Sequence, residues 1–108
     1  MEISDAAVVA QVLAGDKDAF RLLVERHTRS IYSVVCRMSG NQHDAEELLQ
    51  ETFLRAYKSL HRFELRSSFS TWLYRIEVNS CLDFLKAKKM TNVYQIAENP
   101  GEDRKSVV

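Results

Sequence analysis

The side chains with the most chemical potential fall in two blocks of opposite charge. From Asn41 to Leu54 the chain carries Asp44, Glu46, Glu47 and Glu51 with no Lys or Arg. From Arg55 to Lys89 it carries Arg55, Lys58, Arg62, Arg66, Arg75, Lys86, Lys88 and Lys89 against Glu64, Glu77 and Asp83. Such a division suits two partners of opposite charge, or simply two solvated helix faces. The basic block adds Trp72 and Asn79. Unpaired bases bind by stacking on aromatic or guanidinium planes while nearby cations hold the phosphates. Trp72 can supply the platform, Arg75 and Lys86 the phosphate contacts, and Asn79 a contact to a base edge. Equally, Trp72 can be core, and Lys86, Lys88 and Lys89 can complement the negative end of a helix.

Covalent catalysis finds no support. There is no Gly-rich phosphate loop, no nucleophile motif, and no H-E-x-x-H or C-x-x-C. Glu47 and Glu51 form an i,i+4 pair, but without histidines at matching spacing they make no metal site. His43 and His61 are isolated in pattern, and Cys36 and Cys81 lie far apart in no ligand spacing. The expectation is a binding protein with no catalytic residue, no metal and no cofactor, its cysteines reduced thiols in a cytoplasmic setting.

These groups must be positioned by helices. Glycine is scarce, strand alternation is absent, and apolar residues recur at three- and four-residue steps, so the fold class is all-α. A first helix is expected from about Asp5 to Ala14, capped by Ser4. Asp16 then caps a longer one ending near Ser39, with Gly15 and Gly40 as helix-terminating positions. His27 lies within the apolar stripe of this second helix, as a packed, hydrogen-bonded histidine.

A third helix, about Asp44 to Leu60, starts with Asp44 and Glu47 at capping-box spacing. At 100° per residue, Ala45, Leu49, Thr52, Phe53, Ala56 and Leu60 share its core face. Glu47, Glu51, Leu54 and Lys58 fall opposite. A leucine among acids, with Gln50 beside it, is an ordinary exposed residue or an anchor for a partner helix. After a break over Phe63 to Ser68, the last helix runs from about Ser70 to Lys89. One polar stripe, Trp72, Arg75, Asn79, Asp83 and Lys86, interrupts its apolar surround. Residues 90–108 read as a linker or frayed tail.

The whole chain has 108 residues, fifteen Lys+Arg against fifteen Asp+Glu, and 45% apolar residues. That suits one globular domain of compact helical-bundle type, with four helices. No apolar run reaches the roughly 18–20 residues of a spanning helix, and the start MEISDAAVV lacks a basic leader, so neither membrane insertion nor secretion is expected.

The run Asp44-Ala45-Glu46-Glu47-Leu48-Leu49-Gln50-Glu51-Thr52-Phe53-Leu54-Arg55-Ala56-Tyr57, then Phe63, then Phe69-Ser70-Thr71-Trp72-Leu73-Tyr74-Arg75-Ile76 with Asn79, closely resembles the region 2 helical domain of bacterial sigma factors. The resemblance is to the extracytoplasmic-function (ECF) group and spans about Val9 to Lys89. It implies a transcription initiation factor fragment that binds RNA polymerase core through the β′ clamp helices. Carried over by position, Asp44, Glu47, Leu48, Gln50, Glu51 and Leu54 make that contact.

The resemblance further implies that the last helix and the loop before it hold the melted non-template strand of the promoter −10 element. A flipped base would sit in a pocket at Ser59, Phe63 and Asn79, surrounded by Glu64, Leu65, Arg66, Ser67 and Ser68. Trp72, Arg75, Lys86, Lys88 and Lys89 complete the nucleic-acid set. An anti-sigma factor is an implied partner, and a helical module held by such a regulator with no DNA role is the alternative. A second domain reading the −35 element has no counterpart here, and a monomer is expected.

Overall fold

The computed structural model describes residues 3–64 and 66–98, with side chains through residue 89. Its elements are helices α1 (Asp5–Leu13), α2 (Phe20–Ser39), α3 (Gln42–Lys58) and α4 (Phe69–Glu98), with one turn of 3₁₀ helix at Lys17–Ala19 and another at Leu60–Arg62. Among the described residues there is no strand. The fold is all-α, as expected.

The helix ends follow local chemistry. Ser4 caps α1 by accepting a hydrogen bond from the Ala7 backbone N–H at 3.1 Å, satisfying one of the orphan donors of the first turn. Gly40 closes α2 at φ 82°, a left-handed conformation that costs a residue with a Cβ but not glycine. Two expected caps are corrected. Asp16 makes no side-chain cap bond and leads into the 3₁₀ turn rather than directly into α2. Asn41, not Asp44, caps α3: its Oδ1 accepts from the Asp44 N–H at 2.8 Å and its Nδ2 donates to the Asp44 carboxylate at 2.7 Å. The side chain three residues on therefore returns a bond to the cap, and α3 starts two residues earlier than expected.

Helices α2, α3 and α4 pack on one another, and α1 lies against α2. The core is built from Val8, Val9 and Val12 of α1, Leu23, Ile31 and Val35 of α2, Ala45, Leu48, Phe53 and Ala56 of α3, and Phe69, Leu73 and Cys81 of α4. Burying one such aliphatic side chain contributes about 1.5–3 kcal/mol. Asp5 ties α1 to α2 through Arg26 at 3.0 Å and His27 at 2.9 Å. His27 is half-buried with its ring 5.3 Å from Phe69, as expected of a packed histidine. Cys36 and Cys81 are free thiols.

Helix α4 is 30 residues long, about 45 Å at 1.5 Å per residue. It runs nine residues past Lys89, so the backbone of residues 90–98, expected as part of a linker or frayed tail, is helical. No Gly or Pro lies between Gly40 and Pro100, and nothing local forces the helix to stop at Lys89. The remainder of the expected tail, residues 99–108, lies outside the described residues. No helix among the described residues is long and apolar enough to cross a membrane.

Candidate functional site

Two solvent-facing surfaces emerge from this packing. The first is the outer side of α3. Glu46, Glu47, Gln50 and Leu54 are exposed and Glu51 is half-buried, so the expected acidic face points away from the core. Leu54 is 48% exposed, an uncompensated apolar side chain among acids. An apolar cleft opens beside it, lined by Phe20, Val24 and Thr28 of α2 and by Leu49, Phe53 and Tyr57 of α3. Thr28 does not make that cleft polar, because its hydroxyl donates to the Val24 carbonyl at 2.6 Å.

Leu48 is the correction on this face. It is 3% exposed and packs in the core, so little of its side chain is open to a partner. Leu49, expected in the core, is instead half-buried at the cleft. The two leucines exchange roles because α3 is flanked by both α2 and α4. Its buried surface is wider than one stripe and is turned toward Leu48, which shares the groove facing α4 with Ser80 and Phe84.

Asp44 is also less available than expected. Its side chain is 17% exposed and lies 3.4 Å from Lys88 Nζ. The bond from the Asn41 amide, reinforced by Lys88, holds its carboxyl below the usual carboxylate range against the opposing effect of burial. Asp44, His43 and Glu47 bring ligand atoms within 4.8 Å of one another. The Asp44 carboxylate is already engaged by Asn41 and Lys88, however, and His43 lies 3.2 Å from Glu47. The set reads as a helix start with its own hydrogen bonds.

The second surface is the outer edge of α4. Arg75, Asn79, Lys86 and Lys89 are exposed there, along one side of the helix. Asp83 of the expected polar stripe and Lys88 of the expected nucleic-acid set are tied back. Asp83 pairs with Arg55 of α3 at 2.9 Å, and Lys88 pairs with Asp44 and lies 5.8 Å from the centre of the Phe84 ring. Arg55 also approaches Glu51 at 3.6 Å, so one guanidinium links the acidic face to α4. No periodicity within a single helix could have indicated this pairing.

Trp72 is half-buried in an aromatic cluster, its ring 5.3 Å from Phe63 and 5.6 Å from Phe69. It braces the start of α4 and keeps some exposure. Phe63 is likewise half-buried, 5.7 Å from Phe69. The Ser59 hydroxyl donates to the Arg55 carbonyl at 2.7 Å, closing the end of α3. In the following loop, Glu64 and Arg66 pair at 3.1 Å while both remain largely exposed. Ser67 is half-buried, and Ser68 accepts from the Thr71 N–H at 3.1 Å, capping α4. Leu65 lies outside the described residues. Asn79 stands seven residues past Trp72, about 10 Å further along α4, and one turn before Asp83, the partner of Arg55.

Residues 23–91 match the sigma-70 region 2 family. The chain is 41% identical over 103 residues to the ECF RNA polymerase sigma factor SigW of Bacillus subtilis (strain 168), which covers 95% of this chain and 54% of that protein. It is 39% identical over 87 residues to the ECF RNA polymerase sigma-E factor of Haemophilus influenzae, covering 81% and 46% respectively. The chain thus spans about half the length of these curated relatives.

Among solved structures, it superposes on an engineered region 2 of sigmaE, determined by NMR in complex with GTAAAA, with a TM-score of 0.76 and 38% identity. That match covers 82% of this chain and 95% of the other. It also matches CnrH, solved in complex with the cytosolic domain of CnrY, with a TM-score of 0.68 and 27% identity over 91% and 65% of the two chains.

Proposed function

The chain belongs to the sigma-70 region 2 family, among the ECF sigma factors, and from that premise we propose that it docks on RNA polymerase core through α3 and holds promoter DNA along α4. One observation carries the reading: exposed acids and Leu54 occupy α3 up to residue 54, and exposed Arg75, Asn79, Lys86 and Lys89 occupy α4. Opposite charge on separate surfaces lets two partners bind at once without competing.

On α3, a basic helix of the β′ clamp lies against the acidic side. Glu47, Gln50 and Glu51 meet its polar groups, and an apolar side chain enters the cleft beside Leu54. Burying Leu54 and part of Tyr57 supplies the apolar contribution, while the acids set orientation and speed of encounter. Leu48 acts only as support beneath this surface.

On α4, Arg75, Lys86 and Lys89 follow the backbone of the non-template strand of the −10 element, and Asn79 reads a base edge. The sigmaE region 2 bound to GTAAAA supports a nucleic-acid ligand for this fold. A base extruded from the stack is held where the loop 64–68 meets Ser59 and Phe63, with the Phe63–Trp72 pair as its rigid floor. The protein's contribution is recognition and positioning; phosphodiester chemistry belongs to the polymerase.

The CnrH–CnrY complex favours a second reading for the same surfaces, in which a protein regulator of the anti-sigma type covers them. The two readings separate by salt. An oligonucleotide carrying the −10 sequence should lose affinity steeply as salt rises, because phosphate neutralisation releases counterions. Absence of any salt-dependent oligonucleotide binding, with a regulator still bound, would leave only the second. The polymerase contact is tested with an isolated β′ clamp-helix fragment, which should bind the wild-type chain and bind Glu51→Lys and Leu54→Ala variants at least about tenfold more weakly.

A further inference from the structure

The interior of the bundle holds an acid that neither surface uses. Glu77 of α4 is 1% exposed, one helical turn from the buried Leu73 and Cys81. Its Oε2 atom has no hydrogen-bond partner among the described residues, and neither do the Thr52 Oγ1 and Ser80 Oγ atoms, which are also buried. Residues this enclosed are normally apolar or fully paired, and an ionised carboxylate is far more costly to bury than a neutral carboxylic acid.

The surroundings do little to stabilise a negative charge. The buried residues of α2 (Phe20, Leu23, Ile31, Val35) and of α3 (Ala45, Leu48, Thr52, Phe53, Ala56) include no ionisable group. Arg37, exposed near the end of α2, acts on Glu77 from a distance and lowers its pKa. Cys81, on the same face of α4, has its own thiol pushed up by burial and by Glu77. Burial raises the Glu77 carboxyl to about 7, with Arg37 offsetting only part of the rise.

We propose that Glu77 is a proton-controlled latch on α4: as a neutral acid it lets the helix seat against α2 and α3, and as a carboxylate it loosens that seat. The same helix presents Arg75 and Asn79, so loosening it weakens the nucleic-acid surface. That last consequence rests on the DNA-binding reading above; the latch itself does not.

The direction in pH follows from linkage. The folded carboxyl titrates at about 7 and an unfolded one near the ordinary value of 4.5, so the folded state holds the extra proton between them. Stability from this group is complete below about pH 4.5 and is lost as pH rises through about 7. Between pH 5.5 and 8 the unfolding equilibrium constant should rise roughly 30-fold on this account.

The experiment is urea unfolding of the 108-residue chain at those two pH values, with a Glu77→Gln variant alongside. The wild type should weaken by roughly that factor relative to the variant; equal pH dependence in both would overturn the latch. Should Glu77→Gln fail to fold, carbon-detected NMR titration of the wild-type Glu77 carboxyl decides. A midpoint near 7, moving higher in Arg37→Gln, supports the proposal, and a midpoint below 5 sinks it. Binding of a −10 oligonucleotide should fall above pH 7 in the wild type and not in Glu77→Gln. A carboxyl titrating near 7 with pH-independent binding removes the link to the surface. No binding at any pH, with both titration results as expected, removes the DNA reading and leaves the latch.

Discussion

Helices α3 and α4 pack side by side, yet they use their exposed residues differently. On α3 the outward side is a compact patch, with Glu46, Glu47, Gln50 and Leu54 exposed within three turns and an apolar cleft alongside. On α4 the polar residues are strung along the helix from Trp72 to Lys89, and several are tied back by α3. A compact patch with one apolar knob suits a folded helix, whose contacts concentrate in a small area. A long, thin line of cations and an amide suits an extended chain whose charges are evenly spaced. The two helices are also joined: Arg55 and Asp44 of α3 hold Asp83 and Lys88 of α4, while Arg75, Lys86 and Lys89 stay exposed.

The sharpest way to break this comparison is to truncate Leu48 and Leu54 separately. Leu48→Ala removes a buried side chain between the helices and should cost about 2–5 kcal/mol in urea unfolding, while Leu54→Ala should change stability by less than about 0.5 kcal/mol. If Leu54→Ala unfolds the protein, α3 is rotated and the patch does not exist. Next in size, Asn79→Ala should lower discrimination between −10 sequences by about 1–3 kcal/mol while total affinity for DNA changes less. A uniform loss across sequences would make Asn79 structural.

Removing the cap of α3 is a smaller test. Asn41→Ala should cost about 1 kcal/mol of stability and should leave Lys88 as the side-chain donor that still holds the Asp44 carboxylate. The smallest effect is expected on acidification. The Asp44 carboxyl titrates below its unfolded value, so the stability it contributes is present above the unfolded pKa and is lost as pH falls through the folded one. Asn41→Ala should shift that loss to higher pH, measurable as a change in the acid limb of an unfolding curve.

Much of this was legible in the residue order. The helical class, the Ser4 cap, the Gly40 stop, the packed His27 and the outward turn of Glu47 and Leu54 all follow from spacing and local chemistry. What escaped the sequence reading shares one cause. Leu48 and Leu49 are adjacent and chemically alike, so a single helical period cannot say which is core when two neighbours flank the helix. The cap at Asn41 escaped because Asp44 also fits the pattern, and the choice depends on how the chain leaves α2. Val24, Thr28 and Tyr57 were not singled out as site residues because the cleft they line exists only once α2 and α3 come together. Glu77 read as one more charge in a basic block.

Sequence alone therefore determined the elements and the signs of the two surfaces, because helix periodicity and charge are properties of short stretches of chain. Tertiary structure decided which residues those surfaces keep. Burial of Leu48, capture of Lys88 and Asp83, and enclosure of Glu77 each depend on a neighbour from another helix, 28 residues away in the case of the Arg55–Asp83 pair. Desolvation and pairing act through space, and only the packed bundle specifies that space.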